Sequence, residues 1–531
     1  MTRPSTQLAS RPPEKGVRDL LLVLGDQLSR DYEPIRGLDP ERDAVLMIEA
    51  REESTRTPSS KQRTTLFLSA MRHFALDLLD RGVRVRYGRL DDEENTGTFG
   101  GEIRRAVRDL EPERVRVIHP GAWRVLREIE EACESAGVEL EILEDTHFLC
   151  TIDEFMAWRE DRRTPVLEHF YRMMRRKHGV LLTERGDPVG GEWNFDQQNR
   201  KAFRRAPRAP RPYAPETDEV VQEVIELVER ELPDLPGRLA SFRWPVTRAK
   251  ALKALNRFIE DRLPSFGAHQ DAMWTGENTL YHSLISPAIN LKLLDPREVI
   301  EKAVAALDSS GGNAPINSVE GFVRQVLGWR EFIRGVYWTE GEEYESRNGL
   351  RAQGKLPECY WTGETDMRCM RECVEPVLES GHSHHIQRLM VTGNLGLLAG
   401  VHPDEMDAWY LGMYVDAVEW VTIPNTRGMS QHADHGVVGT KPYVSTGNYI
   451  RKMSNYCEHC RYDPGKRTGD DACPFTTLYW DFLIRHEKRF AANARMKLMM
   501  KHVEKLSPAD RVELTASARK TRARLGVIRS T

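Results

Sequence analysis

Residues 19–28 read DLLLVLGDQL, and this stretch decides how the N-terminal part of the chain folds. A short apolar run that ends in a Gly-Asp-Gln turn predicts a buried parallel strand at the start of an α/β domain. Similar runs predict strands at 43–50, 83–90 and 115–120, and apolar spacing predicts a helix over 61–79. Alternating strands and helices indicate a doubly wound parallel sheet, whose ligands bind beyond the carboxyl ends of the strands. No Gly-x-Gly-x-x-Gly follows the first strand, which disfavours an ordinary dinucleotide-binding fold.

The chain changes character twice after this α/β pattern. From about residue 150 to 236 it is irregular and contains a proline- and arginine-rich stretch, which predicts a long connector. Beyond it, apolar residues three and four apart predict helices over 242–263, 296–307, 319–338, 373–399 and 403–420. We therefore expect a flexible tail over 1–17, an α/β domain over 18–150, an interdomain connector over 151–236 and a large all-α domain over 237–531.

Composition and local charge indicate where the protein is located and what it could bind. Of 531 residues, 40% are hydrophobic and 30% charged, and no run approaches the roughly 18 apolar residues of a membrane helix. The N-terminus lacks a secretory signal, and eight cysteines in so long a chain fit a reducing compartment. We expect a cytoplasmic monomer without membrane association. The net charge is −4, but basic clusters at 172–178 and 200–211 predict either a phosphate-binding surface or an ordinary solvated one.

A cysteine motif near the C-terminus predicts a metal site. Cys457 and Cys460 are three residues apart, and Cys473 follows with a proline directly after it. Two such thiolates can bind one metal from a single turn, and either zinc or an iron–sulfur cluster would satisfy the pattern. Three ligands leave a fourth to be found upstream. The candidates are Cys359, Cys369 and Cys373.

Three segments of the helical half carry the residue types of a cofactor site. A histidine and two serines at 282–286, and a Trp-Arg-Glu-Phe block at 329–332, offer the hydroxyls, the turn and the cation that a phosphate-bearing cofactor requires. On a helix, His384 or His385 would share a face with Arg388, whose charge Asp416 could neutralise. Each segment alone is a weak signal.

In this order the segments resemble the photolyase/cryptochrome family, over nearly the whole chain after the tail. The cysteines, the GDQL turn, MRHF at 71–74 and GTKPY at 439–443 are similar to the iron–sulfur bacterial members, the prokaryotic (6-4) photolyase group. The resemblance implies an N-terminal antenna domain with a doubly wound sheet and an all-α domain that binds FAD and carries a [4Fe-4S] cluster. It also implies a partner, UV-damaged DNA.

The resemblance assigns roles residue by residue. It makes His385 catalytic with His384 beside it, places Tyr443 between cluster and lesion, and selects Cys369, which follows Tyr-Trp-Thr-Gly, as the fourth ligand beside Cys457, Cys460 and Cys473. Electron transfer would use Trp361, Trp409 and Tyr410. The implied FAD contacts are His282, Ser283, Leu284, Ser286, Gln325, Trp329, Arg330, Arg388, Asp416, Trp420 and Asn425. A 6,7-dimethyl-8-ribityllumazine antenna would lie against Gly25, Asp26, Gln27, Ile48, Glu53 and Phe67.

The implied activity is light-driven repair of (6-4) photoproducts. Excited reduced flavin donates an electron to a lesion flipped out of the duplex. A histidine near its operating pKa would then protonate the lesion and recover the proton. Eukaryotic (6-4) enzymes carry another histidine where this chain has Leu389, so its proton handling must differ from theirs. The alternatives are a blue-light receptor that signals through a partner and a light-independent iron–sulfur nucleic-acid binder.

Overall fold

A parallel sheet organises the N-terminal half of the computed structural model, which describes residues 8, 15–162 and 164–529. Its strands are β1 (Asp19–Leu22), β2 (Ala44–Ile48), β3 (Val85–Gly88), β4 (Arg114–Ile118) and β5 (Glu139–Leu143), in the order β3-β2-β1-β4-β5. Every pairing is parallel, with Leu20 opposite Ala44 on one side and Val115 on the other. The predicted doubly wound sheet is confirmed. The prediction missed β5, because its sequence ELEIL alternates with charge and its residues are only partly buried.

Helices cover both faces of this sheet. They are α1 (Glu33–Arg36), α2 (Glu52–Thr55), α3 (Lys61–Asp80), α4 (Phe99–Leu110) and α5 (Trp123–Ala136). The predicted helix over 61–79 corresponds to α3, which begins at Ser60 because the Ser60 hydroxyl accepts a hydrogen bond from the Arg63 amide at 3.1 Å. The strand order reverses between β1 and β4, so a crevice forms at their carboxyl ends. The GDQL turn follows β1 at this crevice.

The connector is more regular than its sequence indicates. It contains α6 (Ile152–Arg159), α7 (Leu167–His178) and α8 (Glu219–Glu231), with a 3-10 turn at Asp196–Gln198 between the last two. The expected tail over 1–17 lies mostly outside the described residues, at 1–7 and 9–14. The domain boundaries stay predictions.

Helices fill the C-terminal half. They are α9 (Arg248–Asp261), α10 (Leu263–His269), α11 (Ser286–Asn290), α12 (Pro296–Ala305), α13 (Ile316–Val323), α14 (Glu331–Glu340), α15 (Cys359–Thr362), α16 (Arg368–Ser380), α17 (His385–Gln387), α18 (Asn394–Ala399), α19 (Pro403–Met413), α20 (Glu419–Pro424), α21 (Gly447–Met453), α22 (Pro474–Arg485), α23 (Glu487–Phe490), α24 (Lys497–Glu504) and α25 (Pro508–Arg524). In the described part of the chain, no helix is both long and apolar enough to span a membrane.

Two predicted helices are broken in the structure. The predicted helix 373–399 stops at Gly381, whose positive φ of 68° ends α16, and helical structure resumes only at His385. The predicted helix 403–420 stops at Met413 and resumes as α20 after the extended Val418. Three π-helical segments also interrupt the α-helical pattern, at Arg324–Arg330, Arg388–Gly393 and Asn425–Ser430. π-Helical turns are uncommon and often lie at functional sites.

A buried ion pair joins the α/β half to the helical half. Lys292 donates from Nζ to Asp145 Oδ2 at 2.7 Å, and the Tyr32 hydroxyl donates to the other Asp145 oxygen at 2.6 Å. Burial opposes the ionisation of Asp145, but Lys292 outweighs it and holds the pKa of the carboxyl well below its usual range.

Candidate functional site

The broken helices and π-helical segments surround one cavity of about 780 Å³ in the helical half. Cofactor and ligand pockets typically have volumes of about 300–1,000 Å³. All eleven predicted FAD contacts line this cavity, together with His384, His385 and Tyr443. Each π-helical segment contributes to its wall. The structure thus brings together residues as far apart in the sequence as His282 and Tyr443, and their individual roles stay predictions.

The break between α16 and α17 positions an arginine–carboxylate pair on the cavity wall. Arg388 donates from Nη1 and Nη2 to the two oxygens of Asp416 at 2.9 and 3.1 Å, which confirms the predicted pairing. Its Nε donates to the Ser383 carbonyl at 2.7 Å, and the Ser286 hydroxyl donates to Asp416 at 2.7 Å. Burial opposes ionisation of Asp416, but Arg388 and Ser286 outweigh it and lower its pKa. The pair is therefore ionic, bidentate and fixed in orientation.

Four histidines, which we call the cavity histidines, share this wall: His282, His382, His384 and His385. The rings of His282 and His384 stack with centroids 4.4 Å apart and planes inclined by 10°. His384 is 2% exposed, and neither of its ring nitrogens has a partner in the described part of the chain. Unpaired buried nitrogens are costly unless a bound molecule or water satisfies them. This wall therefore offers hydrogen-bonding capacity to a ligand.

We expected the pKa of the catalytic histidine to lie near the operating pH, but the surroundings of His385 lower it. The His385 ring faces the cavity, and protein surrounds the cavity on its other sides. This burial, together with the Arg388 charge, lowers the pKa of His385 to about 4. Burial and the neighbouring histidines lower the pKa of His282 to about 3, and burial with Arg388 lowers that of His382 to about 4. All three rings are neutral at pH 7, so a net proton donor there requires an anionic group that raises the pKa.

A chain of aromatic rings leads away from the cavity. Tyr410 lines it, and the fully buried Trp409 contacts Tyr410, Tyr414 and Tyr360 with ring centroids 5.0–5.4 Å apart. Trp361, the residue after Tyr360, is only half-buried. Tyr410 and Trp409 are thus in ring contact, Trp361 adjoins Tyr360 along the chain, and the relay itself stays a prediction. The structure adds the ring contacts of Tyr360 and Tyr414. The sequence offered no signal for these two beyond their residue type.

Arg330 has a different environment from the expected phosphate-binding cation. It lines the cavity, but Nη2 bonds to His147 Nδ1 at 2.8 Å and Nη1 donates to Glu331 at 2.5 Å. Its guanidinium also lies 3.9 Å from the centroid of the Phe148 ring. One of its bonds therefore joins the helical half to the α/β half, one stays with the neighbouring Glu331, and Nε has no partner among the described residues.

The basic clusters of the connector differ in what they contact. In the first, Arg175 is buried and donates to backbone carbonyls, while Lys177 pairs with Glu154. In the second, Arg200 lines the cavity, and the next residue bonds through its backbone to α10. The second cluster therefore begins at the cavity wall with Arg200. Asp271, which sequence reasoning missed, lies beside it, and burial raises its pKa to about 6 against the opposing effect of Arg200.

The motif cysteines lie together. Burial raises the pKa of Cys369 well above its ordinary value, and the thiols of Cys473, Cys373, Cys457 and Cys460 raise it further. Only burial and a neighbouring carboxylate act on Cys373, and Cys359 interacts with none of the motif thiols. This favours Cys369 as the fourth member. Among the described residues, no three His, Cys, Asp or Glu side chains are grouped tightly enough to hold one metal ion.

The predicted antenna residues lie at the carboxyl edge of the sheet. A Cβ added at Gly25 would contact Phe67 at 3.3 Å, and Glu53 accepts two hydrogen bonds from Arg124. Gln27 is fully buried and donates to the Ile118 carbonyl at 2.8 Å, so it fixes the turn. Ile48 is buried in the core of the sheet. Their contact with a chromophore stays a prediction.

The fold and the cavity define a protein of the photolyase/cryptochrome fold. The crystal structure of a bacterial class III photolyase from Agrobacterium tumefaciens matches with a TM-score of 0.57 at 14% identity, covering 97% of this chain and 99% of that chain. A cryptochrome of Synechocystis sp. PCC6803 matches with a TM-score of 0.54 at 14% identity, covering 83% and 89%. At such low identity, these matches establish the fold alone.

Sequence comparison then identifies the family. A family model described as deoxyribodipyrimidine photo-lyase-related protein matches residues 21–244. A protein of Agrobacterium fabrum named (6-4) photolyase is 46% identical over 499 residues, covering 94% of this chain and 98% of the relative. The chain belongs to the photolyase/cryptochrome family, in the prokaryotic (6-4) photolyase group, and the resemblance noted in the sequence is confirmed.

Proposed function

We propose that this protein is a (6-4) DNA photolyase, which repairs pyrimidine-pyrimidone (6-4) photoproducts with light. The observation that carries the proposal is the nearly full-length relative of that name at 46% identity. The cavity supports it, because its wall combines the cavity histidines with a bidentate Arg388–Asp416 pair. We further propose a cytoplasmic monomer.

The residues of the cavity fit FAD. The volume of about 780 Å³ suits a dinucleotide, and buried polar atoms without partners, such as Arg330 Nε and His282 Nε2, line it. When bound, FAD supplies the light-excited electron donor. The serine loop at 282–286 and Gln325 would hold the cofactor, and Arg388 with Asp416 would orient it. Trp409 and its neighbouring rings would connect it to the surface.

His385 and His384 would have different roles at the lesion. His385 is open to the cavity and would contact a flipped nucleotide, while His384 is packed behind it against His282. In the neutral state, one nitrogen of His385 donates a hydrogen bond and the other accepts one. A lesion phosphate near the ring would raise its pKa and allow the ring to carry the proton. The arginines of the second basic cluster would hold the DNA backbone.

We propose that Cys369, Cys457, Cys460 and Cys473 hold a [4Fe-4S] cluster. Each thiol that ionises disfavours ionisation of its neighbours, which raises the pKa of Cys369. The positive charge of bound iron would reverse this effect and favour the thiolates. Gly447 leaves room for the cluster, since a Cβ there would lie 2.7 Å from Cys473 Sγ. Because the ligands come from distant segments, the cluster would stabilise the fold.

We also propose that the α/β half binds a lumazine antenna at the crevice beyond β1 and β4. Gly25 and Asp26 follow β1 there, and Gly121 follows β4. The crevice is near the flavin cavity, because a Cβ at Gly121 would contact both Asp26, at 2.7 Å, and Trp420, at 3.0 Å. Energy absorbed at the crevice would therefore be released close to the flavin.

The test is repair of a defined lesion. The reduced, FAD-loaded protein should convert an oligonucleotide that carries one (6-4) photoproduct to intact pyrimidines under blue light, as resolved by chromatography. His385→Ala should abolish the conversion while FAD stays bound. His435→Ala, an exposed histidine outside the cavity, should repair like the parent. A fully reduced, FAD-loaded parent without repair would refute the proposed function.

A further inference from the structure

Arg262, at the junction of α9 and α10, is a buried cation without a counter-charge. It is 1% exposed and forms no ion pair within the described part of the chain. Its Nη1 has no partner, and Nη2 makes one long hydrogen bond, to the Ser283 carbonyl at 3.4 Å. The adjacent carboxylate, Asp261, is held by Arg257 at 3.0 Å. The guanidinium therefore lies in the core with most of its donors unused.

Such an arrangement is costly unless something outside the chain compensates it. A buried charge without a partner costs several kcal/mol in typical proteins. Burial lowers the pKa of Arg262 to about 10 against the opposing effect of Asp261, so the side chain stays charged at pH 7. The fold thus maintains a positive charge directly behind the loop at 282–286. This charge points to an anionic ligand on the other side of the loop.

The loop itself has the features of an anion cradle. Leu280 and Leu284, neither of them glycine, adopt positive φ values of 42° and 58°. The backbone N–H groups of Ser283, Leu284 and Ile285 donate to no backbone group in the described chain, and all three residues line the cavity. Unpaired amides in such a turn form a concave site for anions. The strained backbone and the free amides indicate a segment held ready for a ligand.

Arg262 also sets the orientation of this loop. It lies outside the cavity wall, whereas Ser283 lies in it. In a trans peptide the C=O and the following N–H point in opposite directions. The Ser283 carbonyl, held by Arg262, therefore turns the Leu284 N–H to the opposite side.

We propose that Arg262 is a positioning residue for the diphosphate of a dinucleotide: it supplies the buried counter-charge and aligns the amides of the 282–286 loop. This inference rests on the proposed function, in which the dinucleotide is FAD. It has a reciprocal consequence. Arg262 destabilises the protein without flavin and stabilises the complex, so removing its charge should have opposite effects on the two states.

The experiment compares flavins with and without phosphate. Apoprotein is prepared from the full-length chain, and its affinities for FAD and for riboflavin, which has no phosphate, are measured by flavin fluorescence. Arg262→Met should weaken FAD binding by about tenfold or more, since the buried counter-charge and the bond that aligns the Ser283 carbonyl are lost. Riboflavin binding should stay within about twofold, because an uncharged isoalloxazine makes no use of the counter-charge. Lys253→Met removes an exposed charge from the same helix and should change neither affinity.

Stability gives the second measurement. The Arg262→Met apoprotein should melt at the same temperature as the parent apoprotein or higher, and FAD should raise its melting temperature less than it raises that of the parent. Arg262→Gln should behave in the same way. Unchanged FAD affinity, equal loss of FAD and riboflavin, or a variant that fails to fold would each overturn the inference. A parent that binds no FAD would instead refute the proposed function.

Discussion

The Lys292–Asp145 pair between the two halves provides a quantitative test of how they are held together. Lys292 is 4% exposed and Asp145 is 3% exposed, so neither charge has access to water. Lys292→Met keeps the volume and removes the cation that bonds Asp145, and breaking a buried pair in this way typically costs about 3–5 kcal/mol. For a chain of this length, the entropy of unfolding is about 1 kcal/mol per degree if it unfolds as one unit. The expected loss is therefore about 3–5 °C in melting temperature.

The assay is thermal unfolding at pH 7, followed by circular dichroism on samples of equal FAD loading, since bound ligand also raises the melting temperature. Asp145→Asn combined with Lys292→Met removes both charges and keeps an acceptor for the Tyr32 hydroxyl. This double variant should regain at least half of the loss. The positive φ of Lys292, 64°, strains lysine and methionine alike and does not contribute. A single variant that melts within about 1 °C of the parent, or a double variant no more stable than the single, would refute the reasoning.

Three further results are expected. Trp409→Phe should block light-driven reduction of oxidised flavin, followed by absorbance, and should lower the melting temperature because it removes buried volume and the Nε1 bond to the Tyr360 carbonyl; photoreduction at the parent rate would exclude this ring from the relay. Cys369→Ser should remove iron and the cluster absorbance, whereas Cys373→Ser should retain both; the reverse result would assign the fourth ligand to Cys373. The cavity histidines have folded-state pKa values below the ordinary value of about 6.5. The unfolded chain therefore binds more protons between about pH 6.5 and 4, and the melting temperature should fall as pH is lowered through this window. His382→Phe should reduce that slope; an identical slope would show that His382 titrates normally.

Local sequence patterns predicted the elements in which apolar residues recur with the period of a strand or a helix. The apolar runs of β1 and β2 are buried on both faces, so a continuous hydrophobic stretch was a sufficient signal, whereas β4 (RVRVI) alternates and buries only Val115, Val117 and Ile118. The helix over 61–79 carried both its apolar spacing and the serine that caps it. β5 escaped prediction because it lies at the sheet edge, where its residues are half-exposed and charged.

The candidate site was predictable in its residues but not in its shape. Periodicity extended a helix over 373–399, because the segment from Gly381 to His384 does not disturb the apolar spacing. In the structure that segment is not helical. Arg388 holds it by donating hydrogen bonds to the Ser383 carbonyl and to Asp416. These contacts link residues up to 28 positions apart, so no local propensity reports them. Arg330 shows the converse case, since its bond to His147, 183 positions away, holds one side of its guanidinium and leaves Nε without a partner among the described residues.

The sequence by itself determined the parallel sheet, the helical second half, the cysteine spacing and the residue types of the cavity, because these depend on periodicity and on chemistry close along the chain. Only the tertiary structure decided where helices break, which charges remain without partners and which histidines stay neutral. Those properties depend on burial, and burial is a property of the packed whole. Arg262 is the clearest case: in the sequence it is one arginine among many, and its lack of an ion pair with any described residue makes it informative.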